Sequence, residues 1–304
     1  MKIKYQSINL RAAALERIEQ ANGIIAEYEQ LGFTLTLRQL YYQFVARGII
    51  ANNEREYKKL GDVIADGRMA GLIDWEAITD RTRYLRDLSH WDSPSAIVAA
   101  CAEQFRLPKW QDQPYYVECW IEKDALIGVI EGVCKELDIP YLACRGYASA
   151  SEVWRAGHER FRSKLRNGKL GLVLYLGDHD PSGLDMTRDI RDRLDLFAGN
   201  AGTVQVKRLA LNMDQVNEHQ PPPNPTKMSD SRASWYVDNY GETCWELDAL
   251  SPPLIATLVR DAVLEVRDEE AWDEAVAREE QSKEDLGAVA REWSAAVQAA
   301  RDVE

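Results

Sequence analysis

The chain has 304 residues, which exceeds the usual size of a single domain, so we expect more than one. Its net charge of −13 excludes a protein that coats nucleic acid nonspecifically. The charge is unevenly spread, however. Residues 245–304 contain 6 Lys and Arg against 16 Asp and Glu, whereas residues 1–110 contain 15 against 14. This balance is compatible with a local basic groove outside the acidic carboxyl-terminal part.

The cysteines indicate a reducing compartment. None of them forms a CxxC pair or has a histidine at zinc-site spacing, and the set is Cys101, Cys119, Cys134, Cys144 and Cys244. No apolar run approaches 18 residues, and the amino terminus has no signal-peptide core. We therefore predict a cytoplasmic protein without a membrane span.

The first part of the chain has the periodicity of helices. A helix is predicted over residues 8–31, and Thr36 is placed to cap a second one, LRQLYYQFVARG, which ends at Gly48. A third helix is predicted over residues 54–69, followed by GLIDWEAI as a short strand or a turn. This order predicts a helix-turn-helix or winged-helix DNA-binding domain over residues 1–110.

From Tyr115 strands alternate with helices, which is typical of parallel βαβ units. Strands are predicted at 115–121, 139–144, 171–177 and 204–211, and helices at 124–137, 149–166 and 181–197. We predict an α/β domain with a four-stranded parallel core over residues 111–250. Residues 219–232, rich in Pro and polar residues, are predicted to be a loop or extended segment, and residues 251–304 an acidic helical extension.

Acidic side chains follow two of these strands. Glu122 comes after the first strand, and Asp178 and Asp180 come after the third. Because the carboxyl ends of neighbouring parallel strands meet in one crevice, these carboxylates could bind Mg²⁺ or Mn²⁺ together. Asp180 before Pro181 is equally suited to start a helix, as an N-cap residue.

The ordered set of motifs resembles a known family. Glu122 and the DHDPSG segment at 178–183 resemble a Toprim domain, and most closely the version in the topoisomerase VI A subunit and the meiotic double-strand-break proteins. Members of that family carry an Arg-x-x-Tyr-Tyr motif on a winged-helix domain, and Arg38 to Tyr42 match it here. The segments LTLRQLYYQFVARG and WELDALSPP are similar to short single-subunit bacterial and phage relatives.

The resemblance implies a mechanism and partners. It assigns Tyr42 as the nucleophile that forms a 5′-phosphotyrosyl link with double-stranded DNA, while Tyr41 packs inward. It places Arg38 at the scissile phosphate, and Mg²⁺ on Glu122 and Asp178 with Asp180 assisting; Glu122 could instead be a general acid. It also implies a homodimer associated with the nucleoid. An ATPase B-type subunit is left open, because the chain has no P-loop.

Other basic residues and other functions stay open. Arg81 and Arg83 could lie on a wing or helix that faces DNA, although a solvated surface explains them equally well. Lys227 and Arg232 could contact phosphate, but a solvated loop is the favoured interpretation for both. One alternative function is a Toprim nuclease of a defence system, which activates water at its metal and leaves Tyr42 unused. Another is a noncatalytic DNA-binding dimer that keeps only the fold.

Overall fold

The computed structural model describes residues 1–79 and 88–293, together with residues 295 and 297. The chain forms an amino-terminal group of helices followed by an α/β region built on a four-stranded parallel sheet. The predicted α/β class and parallel core are therefore confirmed.

The amino-terminal helices follow the predicted order, and they are α1 (Ala12–Gln30), α2 (Leu37–Ala46), α3 (Glu54–Met69) and α4 (Pro94–Gln104). Thr36 caps α2 through a capping box with Gln39, so the predicted start is correct. The apolar faces of the first three helices enclose a core of their own, which includes Ile18, Leu40 and Leu60.

The segment after α3 is a turn region within the part of the chain that the structure describes. Gly71 has a positive φ of 74°, which favours glycine. Further along, Ile78 forms an isolated parallel bridge with Leu35, which lies just before α2. The turn alternative for GLIDWEAI is thus correct up to residue 79. Arg81 and Arg83 lie outside the described residues.

The sheet contains β1 (Tyr115–Ile121), β2 (Tyr141–Ala143), β3 (Leu170–Leu176) and β4 (Val204–Ala210). Its strand order is β2-β1-β3-β4, and every neighbouring pair is parallel. β1 and β3 are adjacent and in register, so that Ile121 pairs with Leu176 at their carboxyl ends. β2 is shorter than the predicted 139–144.

Period-2 alternation distributes the strand side chains between two cores. Val117, Cys119 and Ile121 of β1 face one core, whereas Trp120 faces the other. Helix α5 (Ile127–Glu136), which follows a short 3₁₀ turn at Asp124–Leu126, covers the first face.

The second face is covered by a helix interrupted by a π segment and by α8 (Pro181–Ala198). The predicted helix 149–166 consists of α6 (Ala150–Trp154), a π-helix (Arg155–Phe161) and α7 (Arg162–Arg166). Gly157 lies in the π segment against α8, where an added Cβ would come within 2.6 Å of Phe197 Cβ. The close approach of the two helices therefore requires glycine at this position.

The remaining elements are a 3₁₀ turn at Gly199–Ala201, α9 (Met213–His219), β5 (Asn224–Pro225), α10 (Ala233–Tyr240), β6 (Thr243–Cys244), a 3₁₀ turn at Leu247–Ala249, α11 (Pro252–Leu264) and α12 (Glu269–Arg291). Most of segment 219–232 is irregular, as predicted, but Asn224–Pro225 pairs with Thr243–Cys244. Helix α11 adds Ile255 and Val259 to the core on the α5 side of the sheet. None of the helices in the described ranges is long and apolar enough to cross a membrane.

Candidate active site

The carboxyl ends of β1 and β3 bring Glu122 and Asp178 together. The backbone N–H of Asp178 donates to Glu122 Oε2 at 2.8 Å, although 56 positions separate the two residues in sequence. Both side chains are buried, with exposed fractions of 8% and 7%. The parallel-strand argument thus predicts their proximity correctly.

Two glycines leave the space that this arrangement requires. A Cβ on Gly177 would lie 2.9 Å from Glu122 Oε2, and a Cβ on Gly183 would lie 2.2 Å from the carbonyl oxygen of Asp178. Both contacts are shorter than real Cβ atoms tolerate. Glycine at positions 177 and 183 of the segment GDHDPSG therefore leaves room for the Glu122 carboxylate and for the backbone of Asp178.

Asp180 is the N-cap of α8. Its Oδ1 accepts hydrogen bonds from the backbone N–H of Gly183 at 2.6 Å and from Ser182 Oγ at 3.0 Å, and Pro181 occupies the first turn. The capping role expected from the sequence is present. It does not remove Asp180 from the carboxylate group, because the Asp180 charge contributes to raising the pKa of Glu122.

A segment from the far end of the α/β region completes the site. His179 and Trp245 exchange two backbone hydrogen bonds of 2.8 and 3.0 Å, which fix residues 245–248 beside the carboxylates. The backbone N–H of Leu247 then donates to Asp178 Oδ1 at 2.8 Å. Glu246 and Asp248, on either side of Leu247, face the same region.

Lys123 is the cationic centre of this group. Its Nζ lies 2.9 Å from Asp178 Oδ1, 2.9 Å from Glu246 Oε2 and 2.9 Å from Asp248 Oδ2. Burial opposes the charge on Lys123, yet these three carboxylates raise the pKa of its ammonium group far above the usual range. The lysine therefore joins the strand-end carboxylates to the 246–248 segment.

Arg38 connects helix α2 to the same carboxylates. Its guanidinium forms an ion pair with Glu246 and lies 3.1 Å from Asp248 Oδ2. The Arg38 guanidinium carbon is also 5.8 Å from the centre of the Tyr42 ring. The residues of the Arg-x-x-Tyr-Tyr motif thus contact the carboxylate–lysine group within one chain.

Both tyrosines of the motif are buried, with exposed fractions of 5% for Tyr41 and 3% for Tyr42. The Tyr41 hydroxyl donates to Asn52 Oδ1 at 3.0 Å. Tyr41 and Tyr42 both line a cleft of about 440 Å³ together with Arg38, Asn52 and Glu246, so the structure does not show the predicted difference between an inward Tyr41 and a Tyr42 at the site. Burial and the neighbouring Glu246 carboxylate raise the pKa of the Tyr42 hydroxyl well above its usual range.

The acidic groups differ in how well their charges are compensated. Burial and the nearby Asp178 raise the pKa of Glu122 to about 7. Burial also raises the pKa of Asp178, against the opposing effect of Lys123. Partial burial opposes the charge of Glu246, but Lys123 and Arg38 lower its pKa to about 2. Among the described residues, Asp178 and Glu246 each have a cation partner, whereas no ion pair compensates the charge of Glu122.

These residues fit a divalent cation that shares its ligands with a substrate. Within the described ranges, no three His, Cys, Asp or Glu side chains are arranged so that they could hold a metal ion by themselves. Mg²⁺, however, commonly takes only one or two carboxylates and completes its shell with water and substrate phosphate. The raised pKa of Glu122 marks the kind of carboxylate repulsion that a cation relieves.

Buried polar residues hold the loop that carries Asp178 and Asp180. Arg208 donates to the carbonyl oxygens of Gly177 and Gly183, both at 2.9 Å, and also to that of Asp178. His179, between the two aspartates, is 2.8 Å from the Tyr236 hydroxyl, and burial together with Arg208 lowers its pKa to about 4. These residues stabilise the backbone on which the acidic side chains stand.

Of the predicted DNA contacts, Arg232 and Lys227 are among the described residues, and neither is part of this group. Arg232 is held by Asp230 and Asp185 at 2.9 and 2.8 Å, on the outer side of α8. Lys227 is exposed in the loop before α10. Their role in binding DNA stays a prediction.

Sequence reasoning missed Lys123, Glu246, Asp248 and Arg208. Lys123 directly follows Glu122, and an E-x-D pair occurs in WELDALSPP, a segment that the resemblance already marked. Those two signals could have identified three of them. Nothing in the sequence around Arg208 distinguishes it from a surface residue of a strand.

The chain was also compared with known proteins. No family model, no curated protein and no solved structure matches it.

Proposed function

We propose that this protein cleaves DNA in a metal-dependent transesterification by Tyr42, as a relative of the topoisomerase VI A subunit with a winged-helix and a Toprim domain. One observation carries the proposal. Arg38, beside Tyr42, forms ion pairs with Glu246 and Asp248, and both acids contact Lys123, which also contacts Asp178. The nucleophile's helix and the strand-end carboxylates therefore share one electrostatic network.

The reaction exchanges one phosphodiester for another. The Tyr42 hydroxyl oxygen forms a bond to phosphorus, the bond from phosphorus to the 3′-oxygen breaks, and the phenolic proton is lost while the 3′-oxygen gains one. Arg38 lies where it can bind the scissile phosphate and lower the cost of forming the phenolate. The 5′-phosphotyrosine retains the bond energy that resealing needs.

Glu122 and Asp178 would hold the Mg²⁺ or Mn²⁺ ion, with Asp180 assisting. When bound, the ion would neutralise charge on the phosphate and on the leaving 3′-oxygen. The described hydrogen bonds use Glu122 Oε2, Asp178 Oδ1 and Asp180 Oδ1. In the proposal, the ion binds the second oxygen of each carboxylate, which these hydrogen bonds do not use.

The resemblance further suggests a homodimer, in which the tyrosine of one subunit serves the carboxylates of the other. Within the single chain, Tyr42 is already close to Arg38 and Glu246 of its own subunit. We include the homodimer and its double-strand cut in the proposal as a separate element. Sedimentation of the protein with and without DNA measures whether the dimer forms.

A second candidate is hydrolysis by water at the metal, with Tyr42 unused. The observation that favours it is the burial of Tyr42 and the raised pKa of its hydroxyl, both of which oppose phenolate formation. A Glu122 carboxyl whose pKa is about 7 also suits proton transfer near neutral pH.

End-labelled duplex DNA, incubated with the protein and Mg²⁺ or Mn²⁺ and then denatured, separates these candidates. We expect a covalent 5′ adduct that Tyr42→Phe abolishes and that Tyr41→Phe, the matched control on the neighbouring helical position, retains. Cleavage that survives Tyr42→Phe but is lost in Asp178→Ala would establish hydrolysis instead. DNA binding without cleavage under either metal would leave only the noncatalytic dimer.

A further inference from the structure

The strongest concentration of positive charge in this acidic chain lies outside the candidate active site. Residues 155–169 contain six Lys and Arg and one Glu, a net of +5, so the rest of the chain has a net charge of −18. The segment comprises the π-helix, α7 and the turn that leads into β3. It covers the sheet face opposite α5 and α11.

A π-helix aligns part of this charge. In an α-helix, residues four apart drift by about 40° around the axis, because a turn takes 3.6 residues. The i→i+5 hydrogen bonds of a π segment lengthen the turn and offset that drift. Every fourth residue through the π segment therefore lies close to a single row along the axis. The row consists of positions 154, 158, 162 and 166.

Side-chain contacts bear out the row. The rings of Trp154 and His158 stack with centroids 5.0 Å apart and an angle of 12° between their planes. Arg162 Nη1 is 3.1 Å from His158 Nδ1. Arg166 continues the row at the same spacing, and Trp154 and Arg166 are exposed.

The cations at the α7 end of the row are uncompensated. Among the described residues, no carboxylate forms an ion pair with Arg162, Lys164 or Arg166, whereas Arg160 in the same segment is neutralised by Glu118 and Glu152. Lys164 lies 5.6 Å from the centre of the Tyr116 ring. The half-buried, paired Arg160 is thus structural. The exposed Arg166 and the half-buried Arg162 and Lys164 are left to attract an external anion.

The dimensions suit a nucleic-acid backbone. The twelve steps from residue 154 to residue 166 span at most about 18 Å, the length they would have at the α-helical rise of 1.5 Å per residue. Duplex DNA carries a negative charge about every 1.7 Å of its axis, so such a row faces many phosphates at once. α6 begins soon after the carboxyl end of β2, which places the Trp154 end of the row towards the sheet edge that bears Glu122.

We infer that Trp154, His158, Arg162 and Arg166, with Lys164 beside them, form a second DNA-binding surface, which holds duplex DNA flanking the cleavage site through its phosphates. The inference rests on the proposed function for the identity of the polyanion. It assigns the protein a contact with DNA on the α7 side, apart from the amino-terminal helices.

The test measures binding of a fluorescent duplex by anisotropy over a range of salt concentrations, in EDTA so that no cleavage occurs. The variant is R162A/K164A/R166A. The matched control is K135A/K207A/R260A, which removes the same charge from exposed ion pairs on the opposite side of the sheet. Thermal unfolding of both variants verifies that they fold.

We expect the R162A/K164A/R166A protein to bind at least about tenfold more weakly near 0.1 M salt, with a salt slope reduced by about 2 to 3. The control should retain most of the affinity and the slope. Equal affinity and slope in the two variants would overturn the inference, as would loss of binding in the control alone.

The outcome is distinguishable from a failure of the proposed function. If neither metal supports cleavage but R162A/K164A/R166A loses the salt-dependent binding, the second surface stands and the cleavage proposal falls. If wild-type protein cleaves and the variant binds like the control, cleavage stands and the second surface falls.

Discussion

Two buried carboxylate clusters of this protein have opposite electrostatics. Glu279 on α12 accepts hydrogen bonds from Lys109 Nζ at 2.7 Å, Lys283 Nζ at 2.6 Å and the backbone N–H of Leu107 at 2.9 Å. Despite burial, these groups lower its pKa to about 2. Glu122 accepts one backbone N–H and faces a second buried acid, and its pKa rises to about 7.

The comparison separates a carboxylate whose charge is compensated by cations from one whose charge is not. Glu279 joins α12 to the segment before β1. Its negative charge is compensated by ion pairs with Lys109 and Lys283. The pKa of Glu122 stays raised because no cation compensates its buried charge, and such shifted pKa values are common at functional sites. Substitutions at the two positions should therefore affect stability and activity in opposite ways.

The largest expected effect is on cleavage. Glu122→Gln removes a titrating group that we propose as a metal ligand, and we expect cleavage to fall about 10³-fold. Its free energy of unfolding should stay unchanged or increase, because a buried like charge is lost. Glu279→Gln is the control and should cleave at nearly the wild-type rate. Retained cleavage in Glu122→Gln would contradict the proposal that Glu122 takes part in the reaction.

The next effect is on stability. Glu279→Ala should lower the free energy of unfolding by about 3 kcal/mol, because Lys109, whose side chain is 12% exposed, loses its partner. Glu280→Ala, at the exposed neighbouring position, should change it by less than about 0.5 kcal/mol. Denaturant titration measures both. A similar small change in the two variants would show that the Glu279 cluster is not structural.

Metal binding should depend on pH through Glu122. Without metal, the folded protein binds more protons than the unfolded chain between pH 4.5 and 7, so this carboxyl contributes stability that is lost as pH rises through about 7. Mg²⁺ must displace that proton. Its apparent affinity should therefore rise about tenfold per pH unit below 7 and level off above it.

Calorimetric titration at pH 6, 7 and 8 measures the change, and Glu122→Gln should bind more weakly with little dependence on pH. A wild-type affinity that is constant from pH 6 to 8 would contradict the raised pKa of Glu122.

The smallest expected effect is on the stability of the protein at acidic pH. The lowered pKa of Glu279 contributes stability that is present above pH 4.5 and is lost as pH falls towards about 2. We expect about 2 kcal/mol of this contribution to be lost between pH 5 and pH 3, and Glu279→Gln to lack it. Thermal unfolding of both proteins at pH 5 and pH 3 provides the measurement. Parallel losses of stability in the two would assign the acid sensitivity to other groups.

Local rules predicted the elements that local residues determine. Thr36 and Asp180 start their helices with the side-chain caps that their sequences indicate. The proximity of Glu122 and Asp178 was predictable as well, because parallel strands place their carboxyl ends together whatever the separation in sequence.

The rest of the site depends on long-range packing that periodicity does not encode. Arg38 and Glu246 are 208 positions apart, and Glu246 lies in an irregular segment whose position follows from two backbone bonds between His179 and Trp245. Tyr42 is buried because the 3₁₀ turn after Glu246 packs against the free face of α2. Adjacent tyrosines on a helix normally differ in exposure, so their joint burial could not be predicted.

Because Lys123 contacts three carboxylates at the same distance, substitutions at these distant positions should depend on one another in evolution. A descendant of this protein that lost the lysine would leave Asp178 without a cation partner among the described residues, and Glu246 and Asp248 with Arg38 as their shared partner. Neutral residues at 178, 246 or 248 would then be favoured, and Arg38 would lose its anchors if positions 246 and 248 changed. Lineages should therefore either retain the whole set of charges at these five positions or replace it together, and this joint pattern is a sharper signature of descent than any one of its motifs.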